Sequence, residues 1–213
     1  AGSSALTNEQ CSPYTVHYAY DTVALAKGTG GAVVKAGGKN WYFLTADYAL
    51  GAALQNDTSA VVKAAGGTVV GSVRHPLSAS DFSSFLLQAQ ASKAKVIGLA
   101  NAGGDTTNSI KQAAEFGIVA GGQKLAALLL FINDVHSLGL KTAQGLTFTE
   151  SFYWDMNDST RAWSKRFAAL ASKNAMPSMT QAGAYAMVLH YLKTMEALGG
   201  NPHAALLAPG TTV

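Results

Sequence analysis

The stretch WYFLTADYALGAALQNDTSAVVKAAGGTVVGSV, residues 41–73, decides the fold. It opens on Trp41 to Thr45, aromatic and branched side chains that suit a strand. Asp47 to Ala65 then places Leu50, Leu54, Val61 and Ala65 on one face of a helix. The pair Gly66-Gly67 ends that helix, because glycine accepts the left-handed torsions beyond a helix C-terminus. Thr68 to Val73 reads as a second strand. A strand, a crossover helix and a strand in so short a span make a βαβ unit with parallel strands.

The same texture extends both ways. Upstream, Tyr14 to Tyr20 reads as a strand and Thr22 to Ala36 as a helix closed by Gly37-Gly38. Downstream, Ser80 or Asp81 caps a helix that turns Phe82, Phe85, Leu86 and Ala89 inward. Lys95 to Ala100 is a nearly continuous apolar strand, as in a sheet covered on both faces. Thr106 to Phe116 is a helix stopped by Gly117. Leu125 to Ile132 is the most apolar strand and is expected to be central. A short helix over Asp134 to Leu140 and a strand over Leu146 to Phe152 follow.

From Asn157 the pattern changes. Two helices, Ser159 to Ser172 and Thr180 to Leu198, follow with no strand between them. Trp163, Phe167 and Leu170 line the first; Met187, Val188, Tyr191 and Met195 line the second. The expected class is α/β: an open, doubly wound, mainly parallel sheet over residues 22–154. Residues 1–21, the helices of 155–198 and an irregular tail at 199–213 belong to something else. Ala1 to Thr7 reads as the tail of an element already under way, and both ends read as cuts in a longer chain.

Composition narrows the function classes. Apolar residues make up 48% of 213, so the chain can bury a core. Charged residues are only 13%, and the net charge of +3 comes from scattered Lys and Arg. A nucleic-acid partner is not expected from that distribution. No apolar run reaches the length of a membrane span, so direct membrane insertion is not expected. Cys11 is the only cysteine, which rules out an internal disulfide. A lone cysteine fits a cytosolic protein or a periplasmic one without disulfides. No secretory signal is visible in these residues.

Enzyme motifs are lacking. There is no G-x-S-x-G elbow and no Walker loop. Gly28-Thr29-Gly30-Gly31 is glycine-rich, but Val33 stands where the dinucleotide pattern needs its last glycine, and the run falls inside a predicted helix. His136, His190 and His203 have no companions at metal-ligand spacing. No cofactor and no metal are expected.

Open α/β sheets bind ligands outside the carboxyl ends of their strands. Five loops qualify: Thr45-Ala46-Asp47-Tyr48, Arg74-His75-Pro76, Asn101-Ala102-Gly103-Gly104-Asp105, Asn133-Asp134-Val135-His136 and Glu150-Ser151-Phe152-Tyr153-Trp154. Their order resembles a known family. WYFLTADYALG, then Ala65 to Val70, then Ser80-Asp81-Phe82-Ser83, then QAAEFG at 112–117 and Gln144-Gly145-Leu146 to Tyr153 recur in register. They look like the type I periplasmic solute-binding proteins of ABC importers, in the branched-chain amino acid receptor branch. The tyrosine- and tryptophan-bearing loops look most like the subgroup that takes aromatic acids. The likeness covers about residues 1–198.

The resemblance implies a two-lobed receptor that closes on a small solute and delivers it to the membrane permease of an ABC importer, in the periplasm. Residues 22–154 would be the second lobe, nearly whole. Residues 1–21 would be the tail of the first lobe and the crossover, and 155–198 would be first-lobe helices without their sheet. Other readings stay open: an NAD(P)-dependent oxidoreductase using the Gly28 region, or a ligand sensor on the same fold.

Each candidate residue carries two readings. Tyr48 would stack on the solute or pack over the sheet edge. Asp47 would cap the helix after it. Gly103-Gly104, with Ala102 beside them, would leave N–H groups open to a carboxylate, or form a plain turn needing glycine torsions, and Asn101 would bond a polar solute head. Asn133 would bond a polar head; Asp134 would meet an ammonium or a phenol, or cap the next helix. Phe152 and Tyr153, near Trp154, would wall a pocket or pack between lobes. His17 and Tyr20, at the earlier crossover, face the same choice. Ser3 and Ser4 would offer hydroxyls from the first lobe. Arg74-His75-Pro76 would be a cationic partner for an acid, or a solvated loop ahead of the next helix, the favoured reading.

Overall fold

Asn40 begins a run whose side chains are almost all buried, and that run, Asn40–Ala46, forms β1 of a four-stranded parallel sheet. The computed structural model describes residues 2–13 and 15–200. Its contacts divide the chain into two units, Thr22–Glu150 and a second made of Ala1–Asp21 with Ser151–Val213.

In the larger unit, helix α1 covers residues 22–35. It is α-helical at Thr22–Leu25 and Gly31–Lys35, with a π-helical turn at Ala26–Gly30. Next come β1, α2 (Ala49–Ala64), β2 (Thr68–His75), α3 (Ser83–Ala91), β3 (Val96–Ala100), α4 (Gly104–Glu115) and β4 (Lys124–Ala127). Two short helices, α5 (Ile132–Leu138) and α6 (Leu140–Ala143), end the run. The sheet order is β2-β1-β3-β4, all parallel.

The alternation of β1 sets the two layers. Thr45, which with Trp41 and Phe43 lies on one face, donates its hydroxyl to Gln55 of α2 at 2.6 Å. Gly98 of β3 must be glycine, because a β-carbon there would sit 2.7 Å from the Phe43 ring. Tyr42 and Leu44, on the opposite face, join Phe82, Leu86, Ile97, Leu99 and Ile110 in one apolar cluster. Helices thus cover both faces, and the fold is the doubly wound α/β class.

Three expected strands differ. Residues 15–20 form no strand, although their alternation suits one; a strand also needs a neighbour to pair with. Tyr14 lies outside the described residues. β4 ends at Ala127, not Ile132: Leu128, Leu129 and Leu130 are buried, but Ile132 already opens α5. It also lies at the end of the sheet order, not at its centre, because apolar content reports burial and not strand order. Residues 146–152 contribute one bridge, Thr147 beside Ala126, and no longer strand.

In the smaller unit, α7 (Asp158–Ala168) and α8 (Met179–Ala197) each start on a capping box. The Asn157 side chain accepts from the Thr160 amide at 3.0 Å, and Gln181 reaches back to the Ser178 amide at 2.9 Å. Trp163 gathers Phe152, Phe167 and Tyr185 around it, with ring centroids 5.2–5.8 Å away. The expected inner face of α8 is not the observed one. Met187 and Val188 are exposed, and the buried positions of α8 are Met179 and Thr194, neither of them in the set that periodicity picks. Leu170 lies beyond α7 and is 92% exposed. The tail at 201–213 lies outside the described residues.

Candidate functional site

The carboxyl ends of β1, β2 and β3 meet in a small area, and three turns fix what is displayed there. After β1 the chain turns at once: the Tyr48 amide bonds the Ala46 carbonyl at 2.8 Å, and the Asp47 amide bonds the His75 carbonyl at 2.8 Å. Tyr48 then takes an extended conformation at the N-cap of α2 and is half-buried. Gly51, in the first turn of α2, lies so close to the Ala46 carbonyl that any β-carbon would overlap it, and would crowd the Ala100 carbonyl at 3.1 Å. Asp47 does not cap the helix as expected. Its carboxylate pairs with Arg74, and α2 starts two residues later without a side-chain cap.

The next turn is held from inside. His75, the last residue of β2, is 1% exposed; Asn101, just past β3, and Thr106, in α4, are fully buried. Asn101 Nδ2 lies 3.2 Å from His75 Nε2, and Asn101 Oδ1 accepts the Thr106 hydroxyl at 2.8 Å. The other ring nitrogen, Nδ1, lies 2.9 Å from the Pro76 carbonyl. The Asn101 amide was expected to face a solute, but both its ends are committed within the protein. His75 is likewise no solvated loop residue. Its ring lies edge-on to Phe82, 4.8 Å between centroids.

Beyond Asn101 the chain surfaces. Ala102 is half-buried, and Gly103 adopts φ 58°, ψ −129°, which favours glycine. Gly103 is the N-cap of α4. Asp105 accepts the Ser78 amide at 3.1 Å, tying α4 to the loop after β2. Between those two segments, Leu77 to Ser80 on one side and Ala102, Gly104 and Asn108 on the other, lies an open pocket of about 420 Å³.

Asn133 and Asp134 stand in the first turn of α5, both half-buried. Asp134 Oδ2 accepts the Phe131 amide at 3.0 Å, so of its two readings the structure displays the helix-terminal one. Burial pushes its carboxyl above the ordinary aspartate range, and the Phe131 bond partly offsets that. Glu150 accepts the Ile132 amide at 2.7 Å, a second anion at the same helix start that the sequence did not single out for this role.

The remaining candidates fall in the smaller unit. Ser3 accepts the Ala5 amide at 3.3 Å and caps a short 3-10 turn, Ser4–Thr7. His17 and Tyr20 line a groove of about 280 Å³ with Thr180, Gly183 and Met187 of α8. Burial raises the Tyr20 phenol above its usual range. Phe152 packs edge-on against Trp163, while Tyr153 is 40% exposed. The glycine run at 28–31 is helical, with Gly28 pressed on Thr149; it is not the strand-to-helix turn a dinucleotide needs. Among the described residues no group of three or more His, Cys, Asp or Glu is placed to hold a metal. No described helix is long and apolar enough to cross a membrane.

This geometry matches a known family: residues 1–211 match the periplasmic binding protein family. The chain belongs to it. This periplasmic binding protein chain is 62% identical to a periplasmic binding protein from Burkholderia mallei; the match covers 97% of this chain and 54% of that one, with a TM-score of 0.91. A branched chain amino acid ABC transporter periplasmic ligand-binding protein from Burkholderia xenovorans is 37% identical, over 97% of this chain and 55% of that one, with a TM-score of 0.84. A solute-binding protein from Rhodopseudomonas palustris in complex with p-hydroxybenzoic acid is 25% identical, over 96% and 56%, with a TM-score of 0.86. No curated protein matches the chain. The chain spans about half the length of these structural relatives. The fold is that of the type I periplasmic binding proteins.

Proposed function

We propose that the protein carrying this chain is an extracytoplasmic solute-binding receptor that captures a small organic acid and delivers it to an ABC importer. The solute class is an amino acid or an aromatic carboxylic acid. The observation that carries this reading is the display at the sheet's carboxyl edge. Tyr48, Ala102 and Gly103 surface at adjacent strand ends, on turns locked from inside by Gly51 and by the His75–Asn101–Thr106 chain. A half-buried aromatic ring beside open backbone on rigid turns suits a flat, acidic solute. The ligand-binding relative from Burkholderia xenovorans and the p-hydroxybenzoate complex from Rhodopseudomonas palustris support the two solute classes.

In this reading the protein works in the periplasm, its partner is the membrane permease, and the solute leaves unchanged. The test is a thermal-shift panel of leucine, isoleucine, valine, benzoate and 4-hydroxybenzoate on the whole gene product. NAD and NADP are run beside them. A true solute at a hundred times its Kd adds about 2.7 kcal/mol of stability. A shift with a nucleotide and none with the acids would overturn the receptor reading. So would chemical change of the bound acid on release.

A further inference from the structure

We propose that His75 is a positioning residue. Through Asn101 it ties the loop after β2 to the loop after β3, and so sets the spacing of the two walls of the 420 Å³ pocket.

The argument starts from sheet order. β2 and β3 are not neighbours; β1 lies between them. Backbone ladder bonds join each of them to β1, at Ala46–His75 and Thr45–Ala100, and none joins β2 to β3 directly. Side chains crossing over the end of β1 make the direct link, and at that point β1 carries Ala46, too small to obstruct. His75 and Asn101 make the crossing, both withdrawn from solvent.

The bond also has a direction. The Pro76 carbonyl can only accept, so Nδ1 of His75 carries the proton that is donated to it. Nε2 then holds a lone pair and accepts from the Asn101 amide nitrogen, whose oxygen is taken by the Thr106 hydroxyl. Each group has one role, and the chain runs Thr106, Asn101, His75, Pro76. A buried network with every member satisfied fixes its parts far more firmly than one with a member missing.

What it fixes are the pocket's walls. Pro76 leads directly into Leu77 and Ser78, and Asn101 directly into Ala102, with Gly104 two residues on. The exposed side of the same pocket has a second tie, the Ser78 amide to Asp105. His75 is thus the inner tie and Asp105 the outer one. The consequence for solute affinity rests on the receptor reading above; the tie itself does not.

The test is nuclear magnetic resonance on the free protein. Long-range nitrogen–proton correlations should show the proton of His75 on Nδ1, with Nε2 bare. A proton on Nε2 overturns the proposal before any variant is made. His75→Phe keeps the ring against Phe82 but makes neither bond. It should speed amide exchange about tenfold at Ser78 and Thr107, and leave Leu128 unchanged. His75→Gln returns an acceptor to Asn101 and should recover most of that protection. Equal exchange in His75→Phe and the unsubstituted protein, or no recovery in His75→Gln, overturns the tie. In parallel, 4-hydroxybenzoate and leucine are titrated. If the unsubstituted protein binds neither, the receptor reading for those solutes fails, while the exchange data still judge His75 by themselves.

Discussion

Arg74 Nη1 sits 2.7 Å from Asp47 Oδ1, joining the last turn of β2 to the turn after β1 in plain solvent. Both side chains are more than half exposed, at 54% and 63%. Pairs so exposed contribute about 0–1 kcal/mol, since water screens them and two long side chains must be ordered. Asp47→Asn should therefore change the unfolding free energy by less than about 1 kcal/mol in a urea titration. A larger loss would mean that Asp47 holds the turn by more than this pair.

Tyr48, the next residue, carries the opposite expectation. It stands half-buried at the head of α2, next to the strand ends. Tyr48→Ala should keep the melting temperature of the free protein within a few degrees, yet weaken solute binding by about tenfold. Calorimetric titration with the best acid of the panel measures it. Unchanged affinity removes Tyr48 from the site.

Gly51 behaves as a packing residue, and its replacement should be felt by the whole unit. A methyl at this position overlaps the Ala46 carbonyl, which is backbone and cannot swing away. Gly51→Ala should cost about 3 kcal/mol, at the upper end for overpacking. Chemical denaturation reads this directly. A neutral result would mean that α2 shifts freely along the sheet.

Asp134 gives a pH signature. Burial raises its folded-state pKa, so the folded protein holds the proton more tightly than the unfolded chain. Stability from this group is fully present below the ordinary aspartate value, about 3.9, and is lost as pH rises through the raised one. Asp134→Asn keeps an oxygen for the Phe131 amide and removes the ionisation. Relative to the unsubstituted protein, it should gain stability as pH rises across that window. Urea midpoints at a series of pH values test the sign, and a constant difference would refute it.

The sheet was legible in the residues because period and punctuation agreed. Trp41 to Thr45, then Leu50 and Leu54, then Gly66-Gly67 each pointed to the same βαβ unit, and β1, α2 and β2 appear within two residues of those limits. Residues 15–20 failed for lack of a neighbour, which no local pattern reveals. Met187 and Val188 stand on a helix whose buried positions, Met179 and Thr194, are set by packing partners that local periodicity does not reveal. For the site, the turn at Tyr48 and the glycine at 103 stood out as positions where backbone geometry is constrained. The roles of His75, Asn101 and Glu150 did not. Each depends on a partner 18 to 26 residues away or on a neighbour's carbonyl, and only the assembled sheet brings those together.

One feature of α1 bears on how the molecule comes into being. Thr29, in its π-helical turn, shares a hydroxyl hydrogen bond with Thr149 at 2.8 Å, across 120 residues of chain. Gly28, beside it, leaves room for that same threonine and for nothing larger. A ribosome adds about 5–20 residues per second, so Thr149 follows Thr29 by roughly 6–24 s. During that interval the four strands can all be present while the irregular turn of the first helix still lacks its seat. The helix made first in this unit takes one of its side-chain contacts from a segment made after all four strands.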